Sequence, residues 1–301
     1  MGITAAAMFF LILESRRTVE FAAMGLEMCI RTVIPSLFPF FVLSIWLTGN
    51  LSGGNGLLPI LLSGFLGGYP VGAQAAAESF QAGRIPRETA EYLLTFCSQA
   101  GPAFLFGMVA AQFPERKFIW MLWIIQILSA LSVAAFSGYP PRVDATHQPG
   151  PSVPLARAMK QALGAMASVC GWVVSFRVIL GFLSLIPLNP AWRALLWGFL
   201  ELTNGCMCLG AVESLPTRFL LAGIILNFGG ICVALQTASV IDKLSLEHYL
   251  RGKVMQTAFA FLYCLAFTGN WTALIPIPVI FLLNSRYTNA KNSSIPSRIG
   301  V

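Results

Sequence analysis

The sequence has few charged residues, and this scarcity argues against a soluble fold. Of its 301 residues, 10% are charged and 56% are hydrophobic, and the mean hydropathy is +0.74. A soluble domain normally carries about a quarter charged residues. Several apolar stretches approach or exceed the ~20 residues that a helix needs to cross a bilayer, at 33–49, 118–138, 164–186, 217–238 and 255–283. We therefore predict an all-α polytopic membrane protein.

Motifs of hydrolytic, nucleotide and metal chemistry are missing as well. The sequence has no Gly-x-Ser-x-Gly, His-Glu-x-x-His or Walker motif, and no pair of intramembrane aspartates. Its two histidines, His147 and His248, lie in polar connections, and Cys206-Met-Cys208 lacks the spacing of a zinc site. We expect no enzyme, no metal and no cofactor. The absence of a Walker motif leaves an ion gradient, a partner or the solute's own gradient as the energy source, and the coupling ion stays unnamed.

The net charge of +7 does not indicate a nucleic-acid partner. The basic residues, Arg251 and Lys253 among them, sit in short loops and at predicted helix ends, where they are expected to anchor to lipid head groups. We expect the lipid bilayer and a small-molecule solute as partners, and the sequence leaves homo-oligomerisation open. Arg16 and Arg17 follow the first apolar segment in place of a cleavage site, so no removable signal peptide is predicted. Completeness of the N-terminus is also left open.

A proline-rich linker divides the chain into halves, because residues 139–154 hold five of the 18 prolines. We predict four parts: a first half over 1–138, a linker with a basic interfacial segment over 139–163, a second half over 164–284, and a polar tail over 285–301. Two further interfacial segments are predicted, at 15–31 ahead of a span that begins near Pro35, and at 242–253.

Each half interrupts its apolar sequence twice. In the first half, Gly-Gly-Tyr-Pro-Val-Gly at 67–72 ends a predicted hairpin, and Ser-Gln-Ala-Gly-Pro at 98–102 breaks the next helix. In the second half, Leu-Thr-Asn-Gly at 202–205 and Asn-Phe-Gly-Gly at 227–230 follow in the same order. Such interruptions leave backbone groups unpaired in lipid unless they line a protected cavity, and paired interruptions indicate a transporter's binding site. We predict two repeats, each with a re-entrant hairpin and a broken transmembrane helix, whose four interruptions converge near mid-membrane.

The distribution of Lys and Arg conflicts with an inverted arrangement. If both hairpins cross the membrane fully, most basic residues lie on one side, as the positive-inside rule favours, and the halves are parallel. If both hairpins are re-entrant, the halves are inverted and the bias nearly vanishes. We predict inverted repeats.

The candidate substrate-binding residues all lie in or beside these interruptions. For the residues at 63–72 the alternative is close helix packing, and for Ser98, Gln99 and Asn227 it is the pairing of freed backbone groups. The candidates are Ser63, Gly67, Gly68, Tyr69, Pro70, Gly72, Ser98, Gln99, Gly101, Glu201, Thr203, Asn204, Gly205, Asn227, Gly229 and Gly230.

Two charged residues fall inside apolar segments and are functional candidates for that reason. Glu201 lies in the second hairpin, where Arg193 is too far along the helix for direct i,i+4 pairing. Arg177 lies mid-span and either pairs with Glu201, attracts an anionic substrate or extends to the interface.

At 35–44, 67–73, 98–102 and 201–205 the sequence resembles the YlbJ-like sporulation integral membrane proteins, over roughly residues 20–285. These belong to the nucleoside-recognition gate domain group, which is similar in plan to concentrative nucleoside transporters. The resemblance implies a bacterial cell membrane as the location, two inverted repeats around one central site, and passage of a small polar solute. Dipicolinate, an aromatic dicarboxylate, is the substrate associated with the spore-forming members.

We therefore expect a transporter that moves a small polar or anionic solute, with dipicolinate the first candidate, by alternating access. A nucleoside or nucleobase transporter is the alternative within this class, and a non-transporting scaffold or receptor is the alternative outside it. We further expect Gln99 and Asn204 to contact the solute through their amides, and we expect an anionic substrate in an electropositive cavity, with Tyr69 offering a ring and a hydroxyl.

Overall fold

The computed structural model describes residues 2–50, 57–138, 153–278 and 281, and within these ranges every regular element is helical. The first half contains α1 Gly2–Leu13, α2 Ser15–Met28, α3 Ile34–Asn50, α4 Leu57–Gly67, α5 Val71–Gln81, α6 Arg87–Leu94, α7 Pro102–Gly107 and α8 Lys117–Phe136. The second half contains α9 Leu155–Leu183, α10 Pro190–Leu200, α11 Leu202–Cys208, α12 Leu215–Phe228, α13 Gly230–Ile241 and α14 Leu246–Phe267.

Four helical segments of the described chain are long and apolar enough to cross a membrane, which confirms a polytopic all-α membrane protein. They are Ser15–Leu47, Lys117–Phe136, Leu155–Leu183 and Leu215–Ile241. The first of these joins α2 to α3 through a π-helical turn at Cys29–Val33. The predicted interfacial segment at 15–31 is thus continuous with the span that follows it, and the sequence-based separation of the two was wrong.

The linker prediction falls mostly outside the described residues, which omit 139–152, and the tail at 285–301 lies outside them entirely. Where the structure resumes, α9 is a single helix of 29 residues. The predicted basic interfacial segment at 155–161 is therefore the first part of this helix, and the boundary predicted after residue 163 lies within it.

Both predicted hairpins and both predicted broken helices are present. Helices α4 and α5 pack against each other across a turn at 68–70, and α10 packs against α11 across an extended Glu201. Residues 95–101 separate α6 from α7, and Gly229 separates α12 from α13. Gly229 adopts φ 84°, a left-handed conformation that suits glycine and ends the helix. Hairpin, broken helix and long helix thus follow in the same order in both halves, and their inverted relation stays a prediction.

The core that positions the interruptions comes from helices of both halves. The long helix α14 packs on both α8 and α12, α5 packs on α13, and α3 packs on α9. Small residues allow the closest approaches, because the Cβ of any larger residue would collide with neighbouring backbone. An added Cβ at Gly252 of α14, for example, would overlap the Thr95 carbonyl at the first helix break.

Candidate functional site

The tips of both hairpins and the breaks of both interrupted helices meet inside the structure. A Cβ built on Gly229 would lie 3.2 Å from the Tyr69 ring, and one on Gly68 would lie 3.3 Å from the Gly101 amide nitrogen. A Cβ built on Gly230 would lie 3.3 Å from the amide nitrogen of Leu202, in the second hairpin. The structure therefore brings the four predicted interruptions together, while their depth in the bilayer stays a prediction.

A buried lysine lies beside the first hairpin tip and the first helix break. Lys253 of α14 is 1% exposed, and its ammonium donates to the Tyr69 hydroxyl at 3.0 Å, to the Ser98 carbonyl and to Gln256 Oε1 at 2.9 Å. Its three N–H donors are thus matched by three neutral oxygens. None of the ion pairs between described residues includes Lys253.

The hydrogen bonds around this lysine extend to the second helix break. The Gln256 amide donates to Gln99 Oε1 and, at 2.9 Å, to Asn227 Oδ1. The Tyr69 hydroxyl donates to the Leu226 carbonyl at 3.0 Å, in the last turn of α12. Every side chain of this group is at most 4% exposed. We call the group the lysine cluster: Tyr69, Ser98, Gln99, Asn227, Lys253 and Gln256.

The sequence-based assignment of Lys253 to a head-group anchor was wrong. Charged and polar neighbours such as His248 and Arg251 made the whole stretch at 242–253 look interfacial. A signal was nevertheless present, because Tyr249, Lys253 and Gln256 recur at intervals of three and four residues. That spacing indicates one polar face continuing into an otherwise apolar helix.

A second buried charge lies at the tip of the second hairpin. Glu201 is 2% exposed, and its carboxylate accepts from the backbone N–H of Thr203 at 2.9 Å and of Asn204 at 2.7 Å. The Asn204 side-chain amide donates to it as well, at 2.7 Å. These bonds make Glu201 the N-cap of α11. We call Glu201, Thr203, Asn204 and Arg177 the glutamate cluster.

Arg177 reaches Glu201 indirectly. Its Nη1 donates to Asn204 Oδ1 at 3.1 Å, and its Nη2 lies 3.6 Å from Met24 Sδ. A direct Arg177–Glu201 ion pair is not among those that the described residues form. Arg193, the other cation considered, donates to the Leu188 carbonyl at 3.5 Å.

A small cavity lies between the two clusters. Its volume is about 40 Å³, and Tyr69, Gly101, Glu201, Thr203 and Gln236 supply its polar and glycine lining. One water needs roughly 10–15 Å³ on this measure, so the cavity has room for very few waters and none for an aromatic dicarboxylate. Among the described residues that line it, only Glu201 is charged, whereas the sequence predicted an electropositive cavity.

The other candidates are engaged by the protein itself. The amides of Gln99, Asn204 and Asn227 bond within the two clusters and do not line the cavity. Solute contact by Gln99 and Asn204 therefore stays a prediction that requires the clusters to rearrange. Pro70 caps α5 at the first tip, where it is buried.

Several glycine candidates serve close packing in this structure. Ser63 and Gly67 are buried where the first hairpin packs against α3. A Cβ at Gly72 would overlap the Cys97 carbonyl, and one at Gly205 would overlap the backbone of α10. These contacts agree with the packing alternative for the four residues, and they hold the tips in place.

Comparison with known proteins gives one informative relative. In an alignment 327 positions long, the chain is 24% identical to the sporulation integral membrane protein YlbJ of Bacillus subtilis (strain 168). The alignment covers 84% of this chain and 80% of YlbJ. The chain is thus similar to YlbJ along most of its length. No family model and no solved structure matches it, so the nucleoside-recognition part of the resemblance stays a prediction.

Proposed function

We propose that this YlbJ-like membrane protein is a transporter that moves a small polar or anionic solute by alternating access. Dipicolinate is the first substrate to test, and sporulation is the proposed setting, because the relative is a sporulation protein. The observation that carries the proposal is the convergence of four interrupted membrane segments on two buried polar clusters. Irregular backbone at membrane depth is tolerated where protein or a cavity protects it, and transporters place their substrates there.

The charges of the two clusters favour an anion over a cation. With Lys253 and Arg177 protonated and Glu201 ionised, the two clusters together carry a net charge of +1. The negative charge is already satisfied, since two backbone N–H groups and an amide donate to it. Lys253, by contrast, has only neutral acceptors. An entering carboxylate would therefore meet an uncompensated cation nearby.

The small cavity of this structure has no room for a solute, so transport requires the two hairpin tips to move apart. The lysine cluster connects the first hairpin to both helix breaks, and these bonds are the ones that such a movement would exchange for bonds to solute. Alternating access commonly moves one bundle against another around a fixed site.

Uptake into proteoliposomes tests the proposal. We expect the purified full chain to move radiolabelled dipicolinate and unlabelled uridine to compete weakly. Gln99→Ala and Asn204→Ala should slow uptake by about tenfold, from roughly 1–3 kcal/mol per lost contact, with normal expression. Ser175→Ala, at an exposed serine of α9, is the control. Uridine uptake without displacement by dipicolinate would favour the nucleoside alternative, and uptake of neither would favour a scaffold.

A further inference from the structure

The environment of the Lys253 ammonium resembles a site for a small cation. Its three acceptors are a hydroxyl, a backbone carbonyl and an amide oxygen, all neutral. The carbonyl belongs to Ser98, in the non-helical stretch between α6 and α7. Unwound carbonyls and the C-terminal ends of half-helices are the groups that hold coupling ions in transporters with broken helices.

The second helix break contributes to the same place. The Leu226 carbonyl, in the last turn of α12, accepts from the Tyr69 hydroxyl that accepts from Lys253. The ammonium therefore bridges the first hairpin and the first break directly, and the second break through one hydroxyl. A free cation at this position would connect the same elements.

The ammonium fills this position completely. Lys253 is 1% exposed, its three donors are all used, and its ammonium lies 5.8 Å from the centre of the Tyr249 ring. Burial of an ammonium without a carboxylate is costly, and the three neutral oxygens around Lys253 offset part of that cost, as they would for a bound cation.

The geometry points to Lys253 as a tethered cation that takes the place of a coupling sodium ion. A mobile ion drives transport because it is released on the side where it is scarce, and a cation bound covalently to α14 cannot be released. Solute movement by this chain would then not depend on sodium at this position. This inference rests on the proposed transport function.

Two assays in which choline replaces sodium test this inference. Uptake of radiolabelled dipicolinate into proteoliposomes is measured in sodium chloride and in choline chloride, for the unmodified chain, Lys253→Met and Lys160→Met. Lys160 is an exposed lysine of α9 and serves as the matched control. We expect equal uptake in both salts for the unmodified chain and the control. Lys253→Met should lose about tenfold or more in choline, as loss of a buried polar partner predicts, and regain part of that loss in sodium.

The thermal unfolding midpoint of the purified full chain is the second assay, and it needs no transport. The midpoint of the unmodified chain should be the same in both salts, whereas that of Lys253→Met should be lower in choline and rise with sodium. A sodium-dependent midpoint or uptake in the unmodified chain would overturn the inference, even if the variant fails to fold. So would a variant that matches the unmodified chain in choline. Absence of uptake by the unmodified chain, with midpoints as expected, would contradict the transport function and leave the cation assignment supported.

Discussion

The two buried clusters satisfy opposite charges in opposite ways. Glu201 finds its donors within three residues of itself, in the first turn of α11. Lys253 finds two of its acceptors 155 and 184 residues away, in the other half of the chain. The carboxylate is thus satisfied by local secondary structure, while the ammonium depends on the tertiary arrangement. The glutamate cluster should therefore stabilise the second hairpin, whereas the lysine cluster should form only when the two halves are packed together.

Glu201→Ala should have the largest effect on stability. It leaves the Thr203 and Asn204 backbone donors and the Asn204 amide without their acceptor. Each buried donor that loses its acceptor costs about 1–3 kcal/mol, and here three donors lose the same carboxylate. The measurement is the thermal unfolding midpoint in detergent, with Glu213→Ala, at an exposed glutamate, as the control. An unchanged midpoint for Glu201→Ala would show that the hairpin does not need this cap.

Tyr69→Phe should have an intermediate effect and should separate the two clusters. It removes the hydroxyl that joins Lys253 to the Leu226 carbonyl, and we expect a loss of about 1–3 kcal/mol from groups left unpaired. Tyr263→Phe is the matched control, because that hydroxyl bonds only to Ser132 among the described contacts, at 2.8 Å. Equal destabilisation by both variants would contradict a special role for the lysine cluster.

Dipicolinate uptake is a second measurement on the same two variants. Tyr69→Phe should reduce dipicolinate uptake, because Tyr69 lines the cavity and its hydroxyl accepts from the Lys253 ammonium. Tyr263→Phe should leave uptake unchanged. Uptake that falls equally in both variants would indicate a general loss of folded protein.

Arg177→Met should have the smallest effect on stability. Arg177 is half-buried, and it makes one hydrogen bond to the glutamate cluster, through Asn204. We expect about 0.5–1.5 kcal/mol, the usual net value of one hydrogen bond, measured by thermal unfolding with Arg157→Met as the exposed control in the same helix. A loss as large as that of Glu201→Ala would mean that Arg177 is the true counter-ion of Glu201.

Both hairpins and both helix breaks were predictable because their causes are local. Clusters of glycine, proline and short polar residues such as Gly-Gly-Tyr-Pro weaken or remove helical hydrogen bonds at their own position, wherever the rest of the chain lies. Glu201 was predictable for the same reason, since a carboxylate in an apolar segment stands out in one dimension. The continuity of Ser15–Leu47 was not, because charged residues in its first turns are typical of an interfacial helix, and the π-helical turn that joins the two parts leaves no clear pattern.

The sequence by itself determined the membrane class, the interruptions and their matched order, because composition and backbone chemistry act at short range. Only the tertiary structure decided which charges are buried and with what. Lys253 lies next to charged and polar residues in the sequence, as a surface lysine does, and it becomes an internal cation only when the packing of α14 against the first half brings Tyr69 and Ser98 to it. The spacing of Tyr249, Lys253 and Gln256 indicates a polar face, but desolvation depends on every element that excludes water from that face, and a single window of the sequence does not contain those elements.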